Sequence, residues 1–431
     1  MIKHRFFLFF IFLSCLLNIK AQYSNSVLGQ WRDHLSYYST NSLNKTDNTI
    51  LVGSESSLFY YNPLTNECER FSKVNGLSDA GVILTSYDSV TKTTIITYEN
   101  SNIDIVQEGK VYNISDIRIR SIEGSKEINS IYFNDSKAYL SCGFGIVVLD
   151  LKRKEIYDTY YVGENSSKIE VNAVTINDTS IFAATVNGLL YAPKNSTALA
   201  ASQTWKKVQN IANQGKDNLE ITNLLSLGNG KLLITLPIAQ TTFCDAFTFD
   251  GEEWNKIFEN EYIKSLRLSE GKLIKIAYRS LNIYDVNNLV NGGEIYHLSD
   301  EWNPVHGIHL DVNDAIIDSQ NLWLAHQTKG LIRLKDYRNG THNKSEHFPD
   351  GPKSNHIYSI TASEDGKIYI APGGKTIQNA PHGLASDIYT FDGWWWQSLS
   401  EVEGQDTIKD LLNVTIDPNN PSHLMASSWW N

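Results

Sequence analysis

Short apolar runs, rich in β-branched and aromatic side chains, recur along the chain at intervals of roughly 40 to 50 residues. Each clear copy has the pattern strand, polar turn, strand, glycine turn, strand. The clear copies are Ile128–Leu149, Val171–Tyr191, Val312–Leu334 and Ile357–Ala371. The pattern predicts repeated short β-meanders rather than helices.

The turn residues support this interpretation. Asn177-Asp178 and Asp365-Gly366 stand between apolar runs, as expected for tight hairpins. Gly188 and Gly330 precede the third strand of their units, where a positive φ is needed. A single sheet of this size cannot bury both faces, but several sheets stacked around an axis can. We therefore predict a β-propeller.

Counting the units sets the predicted domain organisation. Weaker copies fill the gaps at Ile50–Tyr61, Val82–Val106, Leu224–Phe249 and Leu266–Tyr284. About seven units then precede Pro349, and two more begin at Asn355 and Asp410. Because propellers have about 4 to 8 blades, the fold class is predicted as all-β, with a propeller of about seven blades over 28–350 and the first blades of an incomplete second propeller over 351–431. The ninth unit reaches Asn431 in its second strand, so we expect an N-terminal fragment of a longer protein.

The N-terminus has the composition of an export signal. Lys3 and Arg5 precede an apolar core, Phe6–Leu17, and a small-residue exit ends at Ala21. We predict a signal peptide over 1–21. A lipoprotein signal acylated at Cys15 is the alternative, but Phe12-Leu13-Ser14 is a poor approach to such a cysteine. No other stretch has the roughly 18 apolar residues of a transmembrane helix.

The net charge and the cysteine spacing exclude several kinds of ligand and site. The formal net charge of −11 argues against nucleic acid or an anionic membrane as the main partner. Beyond the signal, Cys68, Cys142 and Cys244 are too widely spaced for a zinc or redox site. Burial as small apolar residues in strands is favoured, and one disulfide with a leftover thiol is the alternative.

The sequence offers no catalytic, metal or cofactor residues that we would assign. Two groups of histidines are interpreted as surface positions: His297, His306 and His309 in a loop between blades, and His342, His347 and His356 beside an exposed linker, Asn339–Pro352. The acids at hairpin tips fit turn chemistry better than calcium loops. Neither a Gly-x-Ser-x-Gly elbow nor a phosphate-binding loop occurs.

The triplet Trp394-Trp395-Trp396 is the most distinctive aromatic feature. Exposed indoles would make a carbohydrate platform, whereas a similar segment, Phe247–Trp254, suggests an outer-strand motif whose Trp packs between blades. The internal match favours packing, leaving at most one or two indoles for a ligand. The ligand-binding residues therefore stay unassigned.

Several motifs carry a resemblance to known proteins. The repeats resemble the regulator-type propellers of sensor kinase ectodomains in the Bacteroidetes. A more specific set resembles the PorZ family of the type IX secretion system; it consists of Gly29–Leu35, Phe59-Tyr60-Tyr61, Ser72–Asp79, Tyr98–Ile105, Tyr112–Ile117 and Cys142–Asp150. This second resemblance spans essentially the whole chain after the signal.

The resemblance to the PorZ family implies a non-catalytic cell-surface component associated with the outer membrane. It implies that anionic lipopolysaccharide is bound and presented to the sortase PorU, in a complex with PorV and PorQ. The alternative is a periplasmic carbohydrate-sensing ectodomain of a two-component regulator. A carbohydrate-active enzyme would need acids or a tyrosine converging at one mouth of the ring.

Overall fold

A computed structural model describes residues 31–277, 280–289, 294–296, 311–339, 343–376, 378–384, 387–399 and 408–430. The chain divides into two compact units, one spanning 36–349 and the other combining 1–35 with 350–431. The predicted signal peptide and the loop with His297, His306 and His309 lie outside the described residues. The predicted domain limits, 28–350 and 351–431, stay predictions.

The described residues of the first unit form seven antiparallel sheets of four strands, each built from consecutive strands in chain order. The strands are β1 Thr40–Lys45, β2 Ile50–Ser54, β3 Leu58–Asn62, β4 Glu67–Phe71, β5 Val82–Asp88, β6 Thr93–Tyr98, β7 Ile103–Gln107, β8 Lys110–Ile114, β9 Ile128–Asn134, β10 Lys137–Cys142, β11 Gly145–Asp150, β12 Glu155–Tyr160, β13 Val171–Ile176, β14 Ser180–Thr185, β15 Gly188–Pro193, β16 Lys206–Lys207, β17 Asn223–Gly228, β18 Lys231–Pro237, β19 Cys244–Phe249, β20 Trp254–Glu261, β21 Ile263–Ser269, β22 Lys272–Ala277, β23 Leu281–Asp285, β24 Glu294–Tyr296, β25 Val312–Asp318, β26 Asn321–His326, β27 Gly330–Lys335 and β28 Asn343–His347. One short α-helix, α1 Asp116–Ile119, follows β8.

Apolar side chains fill the spaces between neighbouring sheets. Each large cluster of buried residues combines two consecutive sheets, from the first and second through to the sixth and seventh. Second strands such as β6 are buried along their whole length, whereas fourth strands such as β4 contain exposed and partly buried residues. The core is therefore distributed among the blades, as a propeller requires.

The seven sheets form a closed ring. The first strand of each sheet contacts the first strand of the next, and β25 of the seventh sheet contacts β1 of the first. The ring closes without strand exchange, since each sheet consists of consecutive strands. The predicted fold class is confirmed.

A β-bulge recurs at the second residue of the first strand in six of these sheets. The bulged residues are Asn41, Ile83, Asn129, Asn172, Lys264 and Asn313.

Three of the bulged asparagines join neighbouring sheets. A bulge leaves its residue out of the ladder, so the side chain can point elsewhere. The amide groups of Asn129, Asn172 and Asn313 donate to carbonyl oxygens of the next sheet or its entry, at 2.9 Å to Val171, 2.8 Å to Ile221 and 2.7 Å to Thr40. The asparagine after the first apolar residue of a repeat therefore has a structural role between blades.

Several buried polar groups lie where the seventh sheet meets the first. Asp314 accepts a hydrogen bond from the backbone N–H of Leu43 at 2.9 Å and forms an ion pair with Arg267 of the sixth sheet. Burial raises the pKa of the Asp314 carboxyl, so these donors are needed to stabilise its charge. The Thr40 hydroxyl group lies within hydrogen-bonding distance of the His326 and Gly330 carbonyl oxygens, at 3.0 and 2.9 Å.

The outer part of the same junction is aromatic. His347 stacks on Tyr61 with ring centroids 4.2 Å apart, and its Nε2 lies 2.8 Å from the Ser345 hydroxyl oxygen. The predicted linker is therefore partly wrong, and so is the surface position predicted for His347, because Asn343–His347 forms β28, the fourth strand of the seventh sheet, and His347 packs against the first sheet. An outer strand keeps one face in solvent, so its polar composition resembled that of a loop.

The second unit begins another set of sheets. It contains a four-stranded sheet and a hairpin, built from β29 Ser359–Ala362, β30 Ile368–Ala371, β31 Tyr389–Phe391, β32 Trp396–Ser398, β33 Lys409–Asp417 and β34 Asn420–Trp430. Buried Asp410 joins these pieces by accepting hydrogen bonds from the backbone N–H groups of Gly383 and Leu384, at 2.7 and 3.1 Å.

We expect Asp314→Ala to destabilise the first unit by about 3 kcal/mol, because it leaves Arg267 unpaired and the Leu43 N–H unsatisfied. Urea denaturation followed by tryptophan fluorescence measures the loss. The control is Asp318→Ala on the same strand, which removes a solvent-accessible pair with Lys45 and should cost about 1 kcal/mol or less. Equal losses in the two variants would contradict the role given to Asp314.

The pH dependence of stability should report on His347. Burial, and secondarily the charge of Arg333, lowers the pKa of His347 from 6.5 to about 4. Between these values the unfolded chain binds more protons than the folded chain, so stability falls as the pH drops from 6.5 to 4. We expect His347→Gln to lose less stability than the wild type between pH 7 and 4.5. Replacing exposed His356 by Gln is the control and should preserve the wild-type pH profile.

Candidate functional site

A cleft between the second and third sheets, here called the α1–β12 cleft, is the candidate ligand site. Its volume is about 480 Å³. Its lining residues are Asn113, Ile114, Asp116, Ile117, Arg120, Ser121, Ile122, Phe144, Val147, Lys154, Glu155, Ile156, Thr159, Tyr161 and Lys168. Lys154 precedes β12 and Tyr161 follows it, so the cleft extends along a strand of about 20 Å.

One wall of the cleft is the connection from β8 to β9. Ile117 of α1 is buried in the cluster between the second and third sheets, which anchors this connection. The helix is a single turn, with the Ile119 N–H donating to the Ser115 carbonyl oxygen at 3.0 Å. The chain is extended at Arg120, which ends the helix and leaves this side chain exposed at the cleft.

The floor of the cleft depends on the turn Gly143-Phe144-Gly145. Gly145 has φ +144°, and a Cβ at this position would overlap the carbonyl oxygen of Tyr160. Only glycine permits this approach of β11 to the end of β12. The turn holds Phe144 buried, with its ring 6.5 Å from that of Tyr161.

The opposite end of the cleft is shaped by the turn from β11 to β12. The Asp150 carboxylate accepts hydrogen bonds from the backbone N–H groups of Lys152 and Arg153, both at 2.9 Å. These bonds hold the pKa of Asp150 below its usual range. Lys154 then adopts a left-handed conformation with φ +60°, and its ammonium group lies 4.6 Å from the centre of the Tyr112 ring.

The cleft is locally cationic although the chain is acidic. Arg120, Lys154 and Lys168 line it together with two carboxylates, Asp116 and Glu155, whereas the whole chain has a net charge of −11. Lys168 lies 4.0 Å from Glu123, a weak pairing because the Glu123 side chain is almost fully exposed. Cations on solvent-accessible side chains, beside aromatic rings and hydroxyl groups, can bind an anionic ligand that also carries hydroxyl groups.

The cysteines take structural positions. Cys142 and Cys244 are buried, Cys68 is partly buried, and each is a free thiol within a strand. Burial raises the pKa of the Cys68 and Cys142 thiols to about 12, so both are protonated at neutral pH. This agrees with the interpretation of the cysteines as small buried residues and excludes the disulfide.

Among the described residues, no three His, Cys, Asp or Glu side chains are grouped as metal ligands would be. No helix among those residues is long and apolar enough to cross a membrane. Of the tryptophan triplet, Trp396 lies in β32 and stacks on Phe391, whereas Trp394 and Trp395 are exposed. This stack joins neighbouring strands of one sheet, so Trp396 has a packing role, and packing between blades stays a prediction.

The cleft lies within the part of the chain that has known relatives. Residues 50–206 match the family model of the N-terminal β-propeller domain of PorZ, of the type IX secretion system. The chain resembles PorZ. The PorZ-like segment includes the three cations of the cleft and the Gly143-Phe144-Gly145 turn.

Solved structures extend the PorZ-like fold beyond that segment. PorZ of Porphyromonas gingivalis, described as an essential bacterial surface component of the type IX secretion system, superposes with a TM-score of 0.71 at 20% identity, over 93% of this chain and 51% of that chain. The extracellular domain of a protein described as a hybrid two-component system, from B. thetaiotaomicron, gives a TM-score of 0.50 at 14% identity, over 92% and 51%. The chain thus spans about half the length of these structures. No curated protein matches it.

Sequence reasoning did not identify the cleft. Arg120, Lys154 and Lys168 come from three separate connections, so their approach depends on the stacking of two blades. The available signal was the group Arg118, Arg120 and Lys126, a local run of cations in a connection of an otherwise acidic chain.

Gly145→Ala should unfold the first unit at lower urea concentration than Gly124→Ala. Alanine at either position takes a strained positive φ, at a cost of about 1 to 3 kcal/mol. Only Gly145 adds an overlap with backbone, since a Cβ on Gly124 meets nothing within 4 Å. Similar midpoints for the two variants would show that the turn below Phe144 tolerates a side chain.

Proposed function

We propose that this chain is a non-catalytic, PorZ-like component of the type IX secretion system that binds anionic lipopolysaccharide through the α1–β12 cleft. The observation that carries the proposal is the placement of Arg120, Lys154 and Lys168 in one cleft inside the segment that matches PorZ. A repeating anionic polymer needs cations distributed along a groove, and the length of β12 supplies that separation.

The chemistry of the lining favours binding over turnover. Anionic groups would contact the guanidinium and ammonium groups, and sugar hydroxyl groups would contact Asn113, Ser121 and Thr159. Asp116 and Glu155 limit the positive charge, which favours reversible binding of a ligand that must be handed on.

In the proposed assembly, the exported chain acts at the cell surface beside the outer membrane, with PorU, PorV and PorQ-like proteins. It presents lipopolysaccharide to the sortase PorU during cargo attachment. The sensor-ectodomain alternative shares the propeller fold, but no feature of the cleft favours it.

The test is binding of lipopolysaccharide, purified from a strain with the anionic form and from a mutant without it, to the immobilised chain. Wild-type protein should bind the anionic preparation, with an affinity that decreases as salt increases. The triple variant Arg120→Glu, Lys154→Glu, Lys168→Glu should bind at least about tenfold more weakly, since each lost contact with a charged group is worth about 1 kcal/mol or more.

The matched control is the triple variant Lys206→Glu, Lys231→Glu, Lys367→Glu. It makes the same change in net charge at exposed lysines outside the cleft and should retain binding. Equal weakening in both triple variants would indicate a nonspecific charge effect. Equal binding of the two lipopolysaccharide preparations by the wild type would refute the proposed ligand. A tagged chain should also recover PorU and PorV from cell extracts.

A further inference from the structure

A second pocket between the second and third sheets, here called the Ile83 pocket, is distinct from the α1–β12 cleft. Its volume is about 540 Å³, within the usual range of ligand pockets. Its walls include Ile83 of β5 and Ile128 of β9. No residue lines both the pocket and the cleft, so the two are separate candidate sites.

The pocket lies where one blade departs from the repeat. Ile83 takes the bulge position that asparagines hold in β9, β13 and β25. Those asparagines donate to the start of the next sheet, as Asn129 does to the Val171 carbonyl oxygen at 2.9 Å. The Ile83 side chain cannot donate a hydrogen bond, and 40% of its surface is exposed. Ile83 therefore leaves open a junction that an asparagine would close.

The hydroxyl group of Thr97, a residue that lines this pocket, has no hydrogen-bond partner. Thr97 is only 1% exposed. Side chains two residues apart on a strand share a face, and Ile95 of the same strand packs against the third sheet. The Thr97 side chain therefore points to the junction that contains the pocket. Because a buried hydroxyl group without a partner is unfavourable, this one indicates a polar group of a ligand.

The remaining polar side chains of the pocket fall into two groups. One group has hydrogen-bond partners within the chain and consists of Tyr98, Asn100, Ser101, Ser125 and Lys126. Within it, the Lys126 ammonium group donates to the Arg118 carbonyl oxygen at 2.9 Å. The other group is the carboxylates of Glu99 and Glu127, which are exposed and have no partner among the described residues. The unpaired charges of the pocket are therefore negative.

These groups fit an organic cation. Carboxylates accept charge-assisted hydrogen bonds from ammonium and guanidinium groups, and the Thr97 hydroxyl oxygen is a further acceptor. The apolar walls, Ile83 and Ile128, suit the aliphatic stem that carries such a group. A metal ion fits less well, because no three His, Cys, Asp or Glu side chains in the described part of the chain are grouped as ligands. An anion would be repelled by both carboxylates.

We propose that the Ile83 pocket binds an ammonium or guanidinium group carried on an aliphatic stem. Such a group occurs in the lysine and arginine side chains of a partner polypeptide and in free amines. The net charge of −11 attracts cations to the chain in general, and the pocket gives that attraction a defined position. The pocket and the α1–β12 cleft thus select ligands of opposite charge.

The experiment is an NMR titration of the whole chain, isotope-labelled at its isoleucine δ1 methyl groups. The variants Ile83→Val and Ile128→Val assign the two resonances of the pocket. The probes are N-acetyl-lysine methylamide, which represents a side chain of a polypeptide, and pentylamine, a free amine. We expect saturable shifts of both resonances, and the tighter of the two probes identifies the source of the cation. N-acetyl-norleucine methylamide has a similar stem without the charge and should shift neither resonance.

The double variant Glu99→Gln, Glu127→Gln removes the two unpaired charges. It should bind the cationic probes at least about tenfold more weakly, because each charge-assisted hydrogen bond is lost. The matched control is Glu252→Gln, Glu253→Gln, which makes the same change in net charge at exposed carboxylates of the fifth sheet. This control should keep the wild-type affinity.

Thr97→Val separates a ligand contact from a structural role. It removes a buried hydroxyl group that has no partner, so the unfolding midpoint should rise while the affinity for the cationic probes falls about threefold or more. Thr235→Val is the control, because the Thr235 hydroxyl group accepts a hydrogen bond from Asn223 at 2.9 Å. The control should lower the unfolding midpoint and leave the affinity unchanged.

Three results would overturn the proposal. They are equal shifts with the norleucine derivative, wild-type affinity in the double variant at Glu99 and Glu127, and a lowered unfolding midpoint with unchanged affinity in Thr97→Val. All three would leave the proposed function intact, because the pocket and the α1–β12 cleft share no lining residue.

Discussion

Each sheet of the first unit buries its faces against two neighbours, so the ring depends on the junction of its last sheet with its first. No strand of the described residues is exchanged there, so side-chain contacts and a backbone hydrogen bond, from the Gly330 N–H to the Tyr38 carbonyl oxygen at 2.7 Å, hold the seventh sheet against the first. Asp314 and Thr40 supply buried hydrogen bonds across this junction, and Asn313 supplies a partly buried one. Apolar packing is nondirectional, whereas these bonds fix the register of the closing blade. Directional hydrogen bonds therefore lie at the junction where a shift in register would prevent the ring from closing.

Much of the ring was readable from local signals. Val171-Asn172 and Val312-Asn313 mark the start of a first strand, and Gly330 marks a turn that needs positive φ, because these requirements belong to single residues. β28 was missed because an outer strand needs only one buried face, and its identity depends on pairing with β27. Periodicity alone does not separate such a strand from a polar linker.

The candidate cleft was less predictable for a different physical reason. Arg120, Lys154 and Lys168 lie in connections, where the sequence need not follow the apolar pattern of the strands. Only the stacking of the second and third sheets brings these three side chains to one surface. Gly145 can be recognised in the sequence as a glycine that permits a positive φ. This signal predicts the backbone of the turn and gives no information about the cations of the cleft. Residues that bind ligands on a rigid scaffold commonly have this character, since loops are released from the demands of the core.

Two turns with the sequence Phe-Asp-Gly-x-x-Trp, between β19 and β20 and between β31 and β32, show how repeats separate residues that build a turn from residues that vary at its tip. The Phe249–Trp254 turn acts as an internal reference, because the same geometry forms there with two glutamates at the tip. The β31–β32 turn retains the aspartate, Asp392, and the stacked pair of Phe391 and Trp396, but its two tip residues are tryptophans. The aspartate and the stacked pair therefore build the turn, whereas the tip positions vary. The same comparison explains why the triplet was ambiguous in sequence: Trp396 belongs to the motif that builds the turn, whereas Trp394 and Trp395 take the tip positions that vary.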